Sequence, residues 1–183
     1  MHSEKLTQSF LEQTRQTIKK VEILETLDLN TLTWKENKIS WSILECLEHL
    51  NLYGEFYLPQ IENKIKNTNT KSETDFNSGI LGNYFAKSML PKKGLNKMKT
   101  FKNKNPINAD LDKAVIQKFI LQQMKLLNLL NQSRNVSLNK VKIQTSISSF
   151  INLKLGDTFQ FLINHIVRHL NQIERIQEAM KNA

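Results

Sequence analysis

The sequence is poor in the residues that cross-link or interrupt a chain. It has one cysteine, Cys46, which cannot close an internal disulfide, and behind Met1 come polar residues rather than a basic start and an apolar stretch. Both features point to a cytoplasmic protein. Only 5 glycines and 3 prolines occur in 183 residues, of which 39% are hydrophobic, so the composition argues for one folded core and against disorder. No apolar run approaches the roughly 20 residues that cross a bilayer, so a soluble protein without membrane contact is expected. There is no glycine-rich phosphate loop, no GxSxG elbow, no CxxC pair and no internal repeat, and the chemistry that each of these carries goes with it.

Acidic residues are missing from one stretch. Between Phe76 and Ala109 stand Lys87, Lys92, Lys93, Lys97, Lys99, Lys102 and Lys104 with no Asp or Glu, so this segment holds most of the net charge of +9. A nucleic-acid footprint interleaves basic and aromatic side chains along a face, and here only Tyr84, Phe85 and Phe101 are available. The plain reading is a solvated connection. The sharper one is a set of lysines that flank a pocket mouth and attract an anionic small-molecule substrate.

What the sequence does have is helical periodicity. Leu6, Phe10, Thr14, Thr17, Val21 and Leu24 recur at spacings of three and four, which predicts a first helix from Ser3 to about Leu27. Residues 29–39 read as irregular. A capping box, Ser42 to Glu45, opens a second helix that runs to about Lys66, with a kink or break at Pro59. Residues 67–108 read as a crossover with a short helix near Ile80 to Met89. A third helix is expected from Ala109 to Asn131, with Val115, Phe119, Gln122, Leu126 and Leu130 on one stripe and Ile116, Ile120, Met124 and Leu127 beside it. Residues 133–153 read as irregular again. Asp157 to Gln160 resembles a second capping box, opening a fourth helix that continues to about Met180. Little in the chain reads as strand. The fold class is therefore all-α: one four-helix bundle domain over residues 1–183, with a long crossover between helices two and three that lets them run parallel, an up-down-down-up arrangement.

Of four histidines, only His2 lies outside these helices. His165 and His169 are spaced i, i+4 on the fourth helix, at one edge of the arc formed by Leu155, Phe159, Leu162, Ile166, Leu170, Ile173 and Met180, so the imidazoles can converge on one point. His49, on the second helix, borders the stripe of Cys46, Leu50, Tyr57 and Ile61. Core histidines held by hydrogen bonds and a three-histidine metal site both fit this placement. Cys46 reads as a small core residue, Trp41 as closing one end of the core, and Glu45 and Glu48 as capping and solvated groups, with the holding of a ligand histidine's tautomer as their functional alternative.

The stretches WSILECLEHL (Trp41 to Leu50) and LGDTFQFLINHIVRHLNQIERI (Leu155 to Ile176) resemble the two signature regions of the DinB-like family, which includes thiol-dependent S-transferases and mycothiol-dependent maleylpyruvate isomerases. The resemblance covers the chain in helix order and crossover length, and Arg168, His169 and Gln172 add an RHxxQ match. It implies one divalent metal ion held by His49, His165 and His169 inside the bundle. Three neutral imidazoles leave such an ion its full charge and an open position, which suits activation of a bound water or low-molecular-weight thiol. Zn or Ni fits the ligand set first, with Fe, Mn or Cu as alternatives. Ile166 stands where a HExxH protease places its glutamate base, and where many relatives carry a polar residue, so a protease is not expected.

Three functions follow in order. The first is a metal-dependent transferase or hydrolase acting on an electrophilic or anionic small molecule between helices two and four. The second is a non-catalytic metal-binding stress or interaction protein, in which a homodimer is an option. The third is a nucleic-acid partner using the lysine-rich segment 87–104.

Overall fold

The computed structural model describes residues 1–90 and 100–182. Six helices and one small hairpin make up its regular structure. Helix α1 (Ser3–Glu22) buries every position of the expected stripe, and Leu24 of the same stripe packs from a 3-10 turn at Ile23–Thr26 that ends the helix early. The short helix α2 (Leu29–Thr33) lies where an irregular connection was expected. Its start is set by Asp28, whose carboxylate accepts from the Thr31 amide at 2.9 Å, and five residues are too few to display a period.

Helix α3 (Ile43–Lys66) opens on the expected capping box, with Ser42 Oγ accepting from the Glu45 amide and Glu45 accepting from the Ser42 amide. It continues through Pro59 without a break. The proline removes one backbone hydrogen bond, at a cost of about 3 kcal/mol, and burial of Tyr57, Leu58 and Ile61 around it offsets that loss. Helix α4 (Ile80–Ser88) matches the short helix expected in the crossover.

Helix α5 (Ala114–Gln132) begins five residues later than expected. Asn108 adopts a left-handed backbone with φ of 62°, and Asp112 accepts from the Ala114 amide at 2.8 Å, which fixes the start there. Val115, Ile116, Phe119, Leu126 and Leu130 are buried as expected, but the stripe passes through Gln123 rather than Gln122, and Met124 is exposed. The next stretch, expected to be irregular, holds an antiparallel pair, β1 (Lys142–Gln144) and β2 (Asn152–Lys154). Ile143 and Leu153 face each other across it and are both buried. Strands of three residues are too short for alternation to register.

Helix α6 (Leu155–Lys181) follows directly from β2. Its first amides are taken by the chain ahead of the hairpin, Leu155 N–H donating to the Val141 carbonyl at 2.9 Å and Gly156 N–H to the Leu138 carbonyl at 3.2 Å. The helix therefore needs no capping box at Asp157, and that expectation is corrected. Asp157 is buried and accepts instead from the Ser78 hydroxyl and, at 2.9 Å, from the Gly79 amide at the start of α4. Gly82 makes room for it, because a Cβ there would lie 2.2 Å from the Asp157 carboxyl carbon. Of the expected arc on α6, Leu155, Phe159, Leu162, Ile166, Leu170 and Ile173 are buried, while Met180 is half-buried.

The long helices share one core. Helices α1 and α3 each pack on both α5 and α6, and α4 packs on α6. No helix among the described residues is long and apolar enough to cross a membrane.

Candidate metal centre

Where α3 and α6 meet, His49, His165 and His169 come together with 3%, 5% and 6% of their surfaces exposed. Their ring nitrogens point at one another: His49 Nε2 lies 3.2 Å and His169 Nε2 3.0 Å from His165 Nε2. One candidate ligand atom from each ring falls within 4.8 Å of the others, and the group can hold a metal ion. Three imidazoles around one ion at about 2.0–2.1 Å place their nitrogens about 3.0–3.4 Å apart, depending on the coordination angle. The two separations to His165 fit that range, and the ligand atoms of His49 and His169 lie within 4.8 Å of each other.

The opposite edge of each ring decides which nitrogen carries the proton. His49 Nδ1 lies 2.6 Å from the carbonyl of Lys104, and His169 Nδ1 lies 2.9 Å from Gln172 Oε1. Both partners are oxygen acceptors, so both rings hold their proton on Nδ1 and turn a lone pair on Nε2 inward. Two converging lone pairs with a third imidazole nitrogen between them form a donor set for a cation. Burial reinforces it. It pulls His49 down to about 4 and His169 to about 3, and it pushes His165 well below the ordinary value of 6.5, with the neighbouring imidazoles adding to the effect on His165 and His169. All three rings are neutral near pH 7, the form that binds metal.

Aromatic rings wall the group in. Trp41 stacks on His169 with centroids 5.8 Å apart and lies 4.8 Å from His49. Tyr53 packs edge-on to His165 at 4.5 Å, and Phe161 stacks on His165 at 5.8 Å. Trp41 thus does more than close an end of the core. Lys104, placed by sequence in a solvated segment, is tied in twice. Its carbonyl faces His49, and its ammonium donates to the Leu52 carbonyl at 2.6 Å and sits 5.7 Å from the Tyr53 ring centre. Partial burial pulls that ammonium below its usual range. Of the other lysines in the segment, Lys92, Lys93, Lys97 and Lys99 lie outside the described residues.

The carboxylates next to His49 in sequence do not reach it. Glu48 pairs with Lys118 at 3.2 Å. Glu45 caps its helix as expected, but it is buried rather than solvated, accepting from Lys35 Nζ at 2.6 Å and the Asn108 amide at 2.5 Å. The partners that hold the tautomers are the Lys104 carbonyl and Gln172. A backbone carbonyl leaves no mark in sequence. Gln172 did leave one, since it stands three residues after His169 on the same helix face. Cys46 is fully buried, and burial pushes its thiol far above the ordinary value, which makes it an inert core residue. Ile166 is buried in the core and offers no base beside His165.

A mostly helical chain that gathers three buried, neutral histidines from two helices defines a class, the helical proteins with an internal three-histidine centre. The chain belongs to the DinB superfamily, whose family profile matches residues 11–173. No curated protein and no solved structure gives a significant match.

Proposed function

We propose that this DinB-superfamily chain is a metal-dependent enzyme of the thiol S-transferase or hydrolase type, built as one four-helix bundle domain over residues 1–183 from α1, α3, α5 and α6. One divalent ion, Zn or Ni, is held by His49, His165 and His169. A single observation carries this reading: the Nε2 atoms of the three rings converge at 3.0 and 3.2 Å, while the Nδ1 atoms of two of them face fixed oxygen acceptors. When bound, such an ion supplies Lewis acidity that brings water or a thiol to its nucleophilic form near neutral pH.

The chain's own residues do the rest. The Lys104 carbonyl and Gln172 set the rings of His49 and His169, and the rings of Trp41, Tyr53 and Phe161 keep bulk water from the imidazoles. The Lys104 ammonium lies over Tyr53, which itself packs on His49 and His165. It adds positive charge beside the centre and favours an anionic small molecule. A non-catalytic metal-binding role is the second reading, favoured by one observation: the cavity beside His165 measures only about 20 Å3, smaller than any organic substrate.

A panel of low-molecular-weight thiols tested against electrophiles and esters separates the two. Turnover that a chelator abolishes and added Zn2+ or Ni2+ restores is the expected result. Thiol transfer unaffected by the chelator contradicts the proposed mechanism. Bound metal without turnover across the panel favours the second reading.

A further inference from the structure

We propose that one internal water molecule sits beside His165 and that Gln123 of α5 holds it there, making Gln123 a positioning residue for this third imidazole. Its coupling to metal rests on the three-histidine reading above, whereas the water itself does not.

The three rings are treated unequally by the protein. His49 and His169 each present Nδ1 to an oxygen acceptor, but His165 Nδ1 is buried with no hydrogen-bond partner among the described residues. Gln123 is 4% exposed, and its Oε1 is likewise buried without a partner. Both residues line the same cavity of about 20 Å3 between α3, α5 and α6, whose other walls are largely apolar, with Leu50, Leu58, Leu126 and Leu162 among them. One water needs roughly 10–15 Å3 and at least two polar partners, whereas purely apolar cavities of this kind stay dry. This cavity has the room and the two partners.

Water suits the pair because it both accepts and donates. It accepts from His165 Nδ1–H and donates to Gln123 Oε1, which leaves the His165 Nε2 lone pair facing His49 and His169. When the ring proton sits on Nε2 in the metal-free chain, the same water donates to Nδ1 instead. This gives a reason for an amide on the stripe that otherwise carries Ile116, Phe119, Leu126 and Leu130. Buried amides are rare at such positions unless they are bonded.

The test uses the full chain labelled with 15N. In the metal-free wild type, a cross-peak from a long-lived water to the Gln123 side chain or the His165 ring is expected, and Gln123→Leu removes it. Zn2+ titration then gives an affinity about 10- to 100-fold weaker in Gln123→Leu, the usual effect of losing an outer partner of a ligand histidine. The ring 15N shifts of His49 and His169 stay as in wild type. If Gln123→Leu does not fold, Gln123→Met keeps the length without the amide and answers the same question. Absence of the water cross-peak in the wild type overturns the proposal, as does an unchanged Zn2+ affinity in the variant. If the wild type binds no Zn2+, the metal reading fails, while the cross-peak still decides the water.

Discussion

Three neutral imidazoles packed against one another are a liability in acid, and the sign follows from their burial. In the unfolded chain each histidine binds a proton below its ordinary value of 6.5, whereas in the fold His49 resists down to about 4 and His169 to about 3. Between these limits the unfolded state holds more protons, so the metal-free protein loses stability as pH falls. The loss is about 1.4 kcal/mol per pH unit for each histidine protonated only when unfolded. Denaturant titrations of the metal-free chain should show stability level above pH 7 and falling steeply from about 6.5 toward 4, and the variant His49→Gln should flatten that slope. A stability independent of pH across this window contradicts the burial of neutral rings. At this scale the candidate site was largely legible. His165 and His169 declare themselves by their spacing, His49 by its place on the flank of its helix, and the resemblance to the family joined the three into one ligand set. The rest was hidden, because the Lys104 carbonyl carries no sequence signal, and the exchange of Gln122 for Gln123 on the buried stripe turns on one step of helix phase.

Among the elements, Asp157 shows how a local signal is overruled by its neighbours. Asp-Thr-Phe-Gln has the form of a capping box, but α6 begins at Leu155 because the Val141 and Leu138 carbonyls accept its first amides, and the freed carboxylate is used to start α4. Asp157→Ala should therefore leave α6 intact by circular dichroism yet cost about 2–3 kcal/mol by leaving the Ser78 hydroxyl and Gly79 amide unpaired. Gly82→Ala should destabilise the same junction by pushing a methyl group into Asp157, and the two losses should not add. Full additivity would place Asp157 and Gly82 in separate environments, against this account. Long periodic helices were readable because 19 or more residues average out local exceptions. The five-residue α2 and the three-residue strands were not, since each is fixed by a single cap or a single buried pair, Asp28 in one and Ile143 with Leu153 in the other.

At the level of the whole molecule, the centre depends on segments far apart in sequence, and Glu45 joins three of them. Its carboxylate accepts from Ser42 at the start of α3, from Lys35 ahead of it, and from Asn108 of the crossover, which also carries the Lys104 carbonyl to His49. Glu45→Ala should cost about 2–4 kcal/mol, less than a fully buried pair because Lys35 is partly exposed. It should also speed hydrogen exchange at the Asn108 amide, and exchange as slow as in wild type would show the crossover to be held by other contacts. The central claim concerns the three histidines acting together. Elemental analysis of the purified chain after incubation with Zn2+ or Ni2+ and removal of free ion tests it most directly. The account predicts close to one bound metal per chain in wild type and its loss in His49→Ala, His165→Ala and His169→Ala, each still folded. A folded wild type that holds no metal, or alanine variants that all retain it, would contradict the account.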